Sequence, residues 1–148
     1  MTPFLKACPK PQRDTTDYQA KAIEVAGKIA TLDGRCHIEG CNHVRSNEYA
    51  IIGHHIIHRK YKNTCALPEN LFPCCIPCHT RIHHNETEFK AWFESKHPGL
   101  IEHLWEKARE ICHADFAEVY EALLMRYHDA LVEKQKAENE DCLAHGSP

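Results

Sequence analysis

The sequence predicts a small α+β protein in which a zinc-stapled unit of strand, loop, strand and helix lies between an N-terminal helix and a C-terminal helical extension. Three observations predict it. Cysteine and histidine crowd the middle third, with Cys36, Cys41, Cys65, Cys74, Cys75 and Cys78 in one short stretch and eight of the thirteen histidines between His37 and His84. A β-branched run containing Ile51, Ile52, Ile56 and Ile57 surrounds Gly53. Both flanks carry apolar residues at helical spacing.

In chain order, residues 1–34 form an N-terminal segment and helix. Met1 to Gln12 is Pro-rich and lacks the apolar stretch of a secretory signal. Thr16 to Leu32 is the helix, with Asp14, Thr15 or Thr16 as cap, a stripe of Ile23, Val25, Ala26, Ile29 and Ala30, and Gly34 as its stop. Residues 35–85 form the central unit: a knuckle over Arg35 to Asn47, a strand over Tyr49 to Ile57 and a polar, basic loop over Arg59 to Glu69. A brief second strand at Leu71 and Phe72 follows, then a helix from about Cys78 through Asn85 with Pro77 at its first turn. Residues 86–148 form the extension. Its helices are expected over Glu86 to Lys96, Leu100 to Ala114, and Asp115 to about Ala137, the last with Phe116, Val119, Tyr120, Leu123, Leu124, Tyr127 and Leu131 on one side and a frayed tail from Glu138.

The chain is 148 residues long and 43% apolar, and no run approaches the length of a membrane span. We therefore expect a cytoplasmic protein with no membrane partner. Nine cysteines, an odd number without a leader, indicate metal rather than a disulfide framework. Charge is uneven beneath the net value of −3: Arg35 to His84 sums to +3, whereas Asn85 to Pro148 sums to −7. Such a chain can still receive a polyanion at its basic centre.

Cys36-x4-Cys41 and Cys75-x2-Cys78 are two pairs whose sulfurs can each share one tetrahedral ion, and together they close a structural zinc site. Cys74 in place of Cys75, or His37 in place of Cys36, are the alternatives. Cys8, Cys65, Cys112 and Cys142 have no paired spacing and are assigned packing or no role. His79 and His83 are four apart and share a helix face, while His54 and His55 on a preceding strand point to opposite sides, so one can bind metal and the other can do different work.

These residues resemble the HNH endonucleases of the ββα-metal finger class, over about fifty positions from Arg35 to Asn85: His54-His55, Asn70, Cys75-x2-Cys78-His79 and His83. The resemblance implies a catalytic divalent ion held by His54, His79 and His83, His55 as general base, and Asn70 steadying the loop and the base. His58 stands where the family frequently has proline. Phe89-x2-Trp92-Phe93 and His97-Pro98-Gly99 are similar to the region after the finger in phage recombination endonucleases of the NinG kind, which would set the activity in phage DNA recombination or processing. Packing of those aromatics on the finger is the simpler expectation.

The expected function is therefore metal-assisted hydrolysis of DNA phosphodiester bonds by a His55-activated water. Arg45, Arg59, Lys60, Lys62 and Arg81 are the candidate phosphate contacts. The expected cofactors are a structural Zn²⁺ and a catalytic Mg²⁺, Mn²⁺, Ni²⁺ or Zn²⁺. The competing class is a non-catalytic zinc module that binds nucleic acid or protein, in which these histidines are surface residues.

Overall fold

The computed structural model describes residues 15–111 and 115–146. The Pro-rich start, the cap expected at Asp14, and Cys8 and Cys112 lie outside the described residues, and so do the side chains of Thr15 and Thr16. The elements are α1 (Thr15–Ala30), β1 (Ile51–His55), a 3-10 turn (Pro68–Asn70), β2 (Leu71–Cys75), α2 (Ile76–His84), α3 (Glu86–Lys96), α4 (Leu100–Ala108) and α5 (Phe116–His145). This is an α+β arrangement of five helices and one two-stranded antiparallel sheet. None of the described helices is long and apolar enough to cross a membrane.

In the sheet, Ile51 pairs with Cys75, Gly53 with Pro73 and His55 with Leu71. Gly53 lets the strands approach closely: a Cβ there would stand 3.0 Å from Leu71 Cβ, and Leu71 would have to shift slightly to admit it. Because strand side chains alternate, β2 serves two cores. Phe72 and Cys74 join Ile51, Ile56, Ile57, Ile82, Phe89, Phe93 and Leu104 in one, while Leu71 joins Ala22, Val25, Ala26, Cys65, Phe116 and Leu123 in the other. The first core seats α3 and α4 on the central unit. The second packs the first and last helices, α1 and α5, against each other and against the loop before β2.

Several boundaries differ from the sequence reading. β2 runs on through Cys75, and its Pro73, which has no N–H to donate, uses its carbonyl to accept from His37 N at 3.0 Å. α2 begins at Ile76, two residues early. α4 stops at Ala108 rather than Ala114, and the Glu110 carbonyl instead accepts from Asn63 Nδ2 at 2.8 Å. α5 starts after Asp115, whose carboxylate caps Ala117 N at 2.9 Å, and it continues to His145 rather than fraying near Glu138. The segment after Ala137 has no Gly or Pro before Gly146, so no strong helix breaker interrupts it. Leu124 and Leu131, expected on the packed side, are exposed. The Arg59 to Glu69 loop is not polar throughout, since Thr64, Cys65 and Ala66 are buried.

Candidate metal centres

Around the knuckle, Arg35 bridges Val44, Cys36 N donates to the His43 carbonyl, and Gly40 takes a left-handed φ of 81° that turns the chain back to Cys41. Cys75 ends β2 and Cys78 lies in the first turn of α2. These elements bring one sulfur from each of Cys36, Cys41, Cys75 and Cys78 within 4.8 Å of one another. Burial pushes the Cys36 thiol up and that of Cys78 up to about 12, whereas a backbone hydrogen bond from His43 holds the Cys41 thiol down, so Cys36 and Cys78 ionise here only with a cation to compensate them. Two side-chain nitrogens already face the sulfurs: His43 Nδ1 lies 3.1 Å from Cys75 Sγ, and Arg81 Nη2 donates to Cys78 Sγ at 2.9 Å. The donor set fits a structural zinc. Cys74 sits outside the cluster, with burial raising its thiol to about 12, and His37 is engaged with Asp33 at 2.6 Å.

A second cluster lies where β1 faces α2. Ring nitrogens of His54, His79 and His83 also converge within 4.8 Å. His79 Nε2 and His83 Nε2 are 3.2 Å apart, and the His54 ring stands edge-on to both and to Phe89, at 5.2–5.4 Å between centroids. His54 Nε2 is buried with no hydrogen-bond partner. Stranding a buried polar atom costs about 1–3 kcal/mol. Protonation does not relieve it, because burial and then the neighbouring imidazoles hold His54 down at about 4, and burial lowers His79 too. Neutral imidazoles converging on one point are the donor set of a divalent cation.

His55, next on β1, turns the other way. Its Nε2 lies 2.9 Å from the Cys65 carbonyl. A carbonyl only accepts, so Nε2 carries the proton and Nδ1 is left as the free base. Burial keeps the ring below its ordinary pKa, hence neutral at neutral pH. Asn70 is fully buried and does not reach His55. Its Oδ1 accepts from Ile57 N at 2.7 Å, and its Nδ2 donates to the Ile57 and Thr64 carbonyls at 3.0 Å each. Asn70 therefore fixes the loop that carries the Cys65 carbonyl: it is a positioning residue.

His54, His55, His79 and His83 share a cleft of about 480 Å³ with Gly53, His58, Arg59 and Glu86. Of the five cations expected at phosphates, Arg59 lines this cleft and Lys60 lines an adjoining groove against Gln19, Ala20 and Ile23 of α1. Lys62 is exposed. Arg45 is occupied elsewhere, donating to the Thr31 carbonyl and hydroxyl at 2.9 Å each, and Arg81 is engaged with the cysteine cluster. Phe89, Trp92 and Phe93 pack around Phe72 at 5.2–5.9 Å. Sequence reasoning missed His43 and Glu86, the one acid among the described residues that line the cleft. No spacing pointed to Glu86, whereas His43 sits two residues beyond Cys41 within the knuckle and could have been found there.

Comparison with protein-family models, with curated proteins and with solved structures finds no match to this chain.

Proposed function

We propose that this chain is a metal-dependent endodeoxyribonuclease of the HNH, ββα-metal finger type, with a structural zinc on Cys36, Cys41, Cys75 and Cys78. His54, His79 and His83 hold the catalytic divalent ion, and His55 is the general base. The observation that carries the reading is the convergence of three imidazole nitrogens, one of them buried and unpartnered, beside a fourth imidazole whose tautomer is fixed by a main-chain carbonyl. A zinc module in which these histidines are surface residues gives no reason for a buried His54 or for the orientation of His55.

When bound, a divalent ion would polarise the scissile phosphate and stabilise charge on the departing 3′ oxygen. The protein supplies the rest. His55 Nδ1 takes a proton from water as the water oxygen bonds to phosphorus and the bond from phosphorus to the 3′ oxygen breaks, leaving a 5′ phosphate and, after protonation, a 3′ hydroxyl. A positioned base of this kind contributes about 10²–10⁴ in rate. Arg59 and Lys60 offer positive charge along the cleft and its adjoining groove, where phosphates on either side of the cut would lie.

The test is plasmid cleavage by purified protein across Mg²⁺, Mn²⁺, Ni²⁺ and Zn²⁺, comparing wild type with His55→Ala at matched zinc content. Metal-dependent nicking by wild type alone supports the reading. DNA binding without cleavage under every metal would favour the binding module.

A further inference from the structure

Helix α5 has a second face that its own chain leaves uncovered. It has 30 residues against 16 in α1, about 45 Å against about 24 Å at 1.5 Å per residue, and so outruns the helix it packs on. Among the described residues, its C-terminal-most hydrogen bond to another element is from Lys134 Nζ to the Leu32 carbonyl, at 3.2 Å. Every residue from Leu131 to Gly146 is exposed. An unsupported helical segment of this length is marginal in water, so its order calls for a covering surface.

The covering surface is indicated by what the helix displays. Nine large hydrophobics are exposed among the described residues, and five of them, Leu124, Met125, Leu131, Val132 and Leu143, are on α5. At 3.6 residues per turn these five share a sector roughly 120° wide, Leu124 and Leu131 along one edge and Met125, Val132 and Leu143 along the other with His128, Gln135 and Asn139 between the rows, and from residue 122 onward no Lys, Arg, Asp or Glu falls inside it. The face that packs on α1, carrying Phe116, Leu123 and Tyr127, is a different one.

We infer that this stripe is the interface of a homodimer, in which α5 pairs antiparallel with α5 of a second copy about a two-fold axis near residue 133. Three features favour a second copy in that orientation. Antiparallel pairing sets Leu124 and Met125 of one copy against Leu143 and Cys142 of the other, and so lays each unsupported C-terminal half along the supported half of its mate. Asp129 and Lys136, two turns apart on one border of the stripe, then face each other across the axis twice, and the stripe is its own charge complement. The helix dipoles also oppose. Parallel pairing would instead set His128, Gln135 and Asn139 each against itself. The pairing does not depend on the nuclease reading, but if that reading holds, the dimer carries the two clefts that cutting both strands of a duplex requires.

Sedimentation equilibrium of the full zinc-loaded chain at micromolar concentration should give a dimer, and Leu131→Glu combined with Val132→Glu should give a monomer with unchanged zinc content. A wild-type monomer throughout the range would hand the stripe to a different partner and overturn the inference, as would a double variant that stays dimeric. Orientation is read separately, and without relying on how the double variant folds. Leu124→Cys should form a disulfide to Cys142 of the second copy under mild oxidation, and lose it when Cys142→Ser is added. A covalent wild-type dimer through Cys142 alone would signal parallel pairing and sink the arrangement.

Discussion

The imidazole of His55 and the main-chain carbonyl of Cys65 stand 2.9 Å apart, ten residues distant in sequence, and this one contact decides which ring nitrogen can act as a base. Since Nε2–H donates to the carbonyl, the basic lone pair belongs to Nδ1. His55→Ala should therefore lower plasmid nicking by about 10²–10⁴, the usual worth of a positioned base. Zinc content and DNA affinity should be nearly unchanged, because His55 is in neither metal cluster. Full activity in metal-replete His55→Ala would remove this residue from the mechanism.

Asn70 should behave differently, as a residue that acts through the loop. Asn70→Ala strands the Ile57 N–H and the Ile57 carbonyl in a buried place, at about 1–3 kcal/mol for each group left unpaired, while the Thr64 carbonyl keeps the Leu67 N–H at 3.2 Å. Urea unfolding should show a destabilisation of several kcal/mol by that measure, and nicking should fall with it. Asn70→Asp keeps the acceptor but sets a carboxylate against two carbonyls, and should do no better. A variant as stable as wild type yet inactive would mean that Asn70 meets the substrate directly.

How much of this was legible in the sequence depended on whether the signal was local. The x4 and x2 cysteine spacings identify four residues that the fold does gather within 4.8 Å, because short spacings leave the backbone few ways to separate them. The helix starting at Glu86 was equally plain from Phe89, Trp92 and Phe93. The tie from His55 to Cys65 was not, since it uses a main-chain carbonyl, which every residue possesses and no sequence advertises. The engagements of Arg45 and Arg81 were illegible for a related reason: a positive charge reads alike whether it faces a phosphate, the Thr31 carbonyl or a cysteine sulfur. The extent of α5 was missed because a polar tail resembles a frayed one even where, as here, no Gly or Pro precedes Gly146 to end the helix.

The cysteine cluster should hold about one zinc per chain in protein purified without added metal, measured by elemental analysis. Structural zinc contributes on the order of 10 kcal/mol to small folds. Cys75 is fully buried and ends the strand that both cores share, so Cys75→Ser should lose the ion and unfold the central unit. Cys74→Ser, whose sulfur lies outside the cluster, should retain zinc. Survival of zinc stoichiometry and melting temperature in both Cys41→Ser and Cys75→Ser would show that these sulfurs do not form the site.

The two clusters should also part under chelation. Three imidazoles lining an open cleft leave positions for water and phosphate, and an ion there exchanges readily, whereas four thiolates close their site. Mild chelation should then stop cleavage while circular dichroism still reports a folded chain. Added divalent ion should restore wild type. It should not restore His79→Ala, which leaves His83 alone on the helix face opposite His54 and loses the nitrogen that stands 3.2 Å from His83 Nε2. Since His79 is partly exposed and outside the cysteine cluster, that variant should fold and keep its zinc. Rescue of His79→Ala to wild-type activity, or loss of fold and cleavage at the same chelator dose, would contradict a separate exchangeable ion at the histidines.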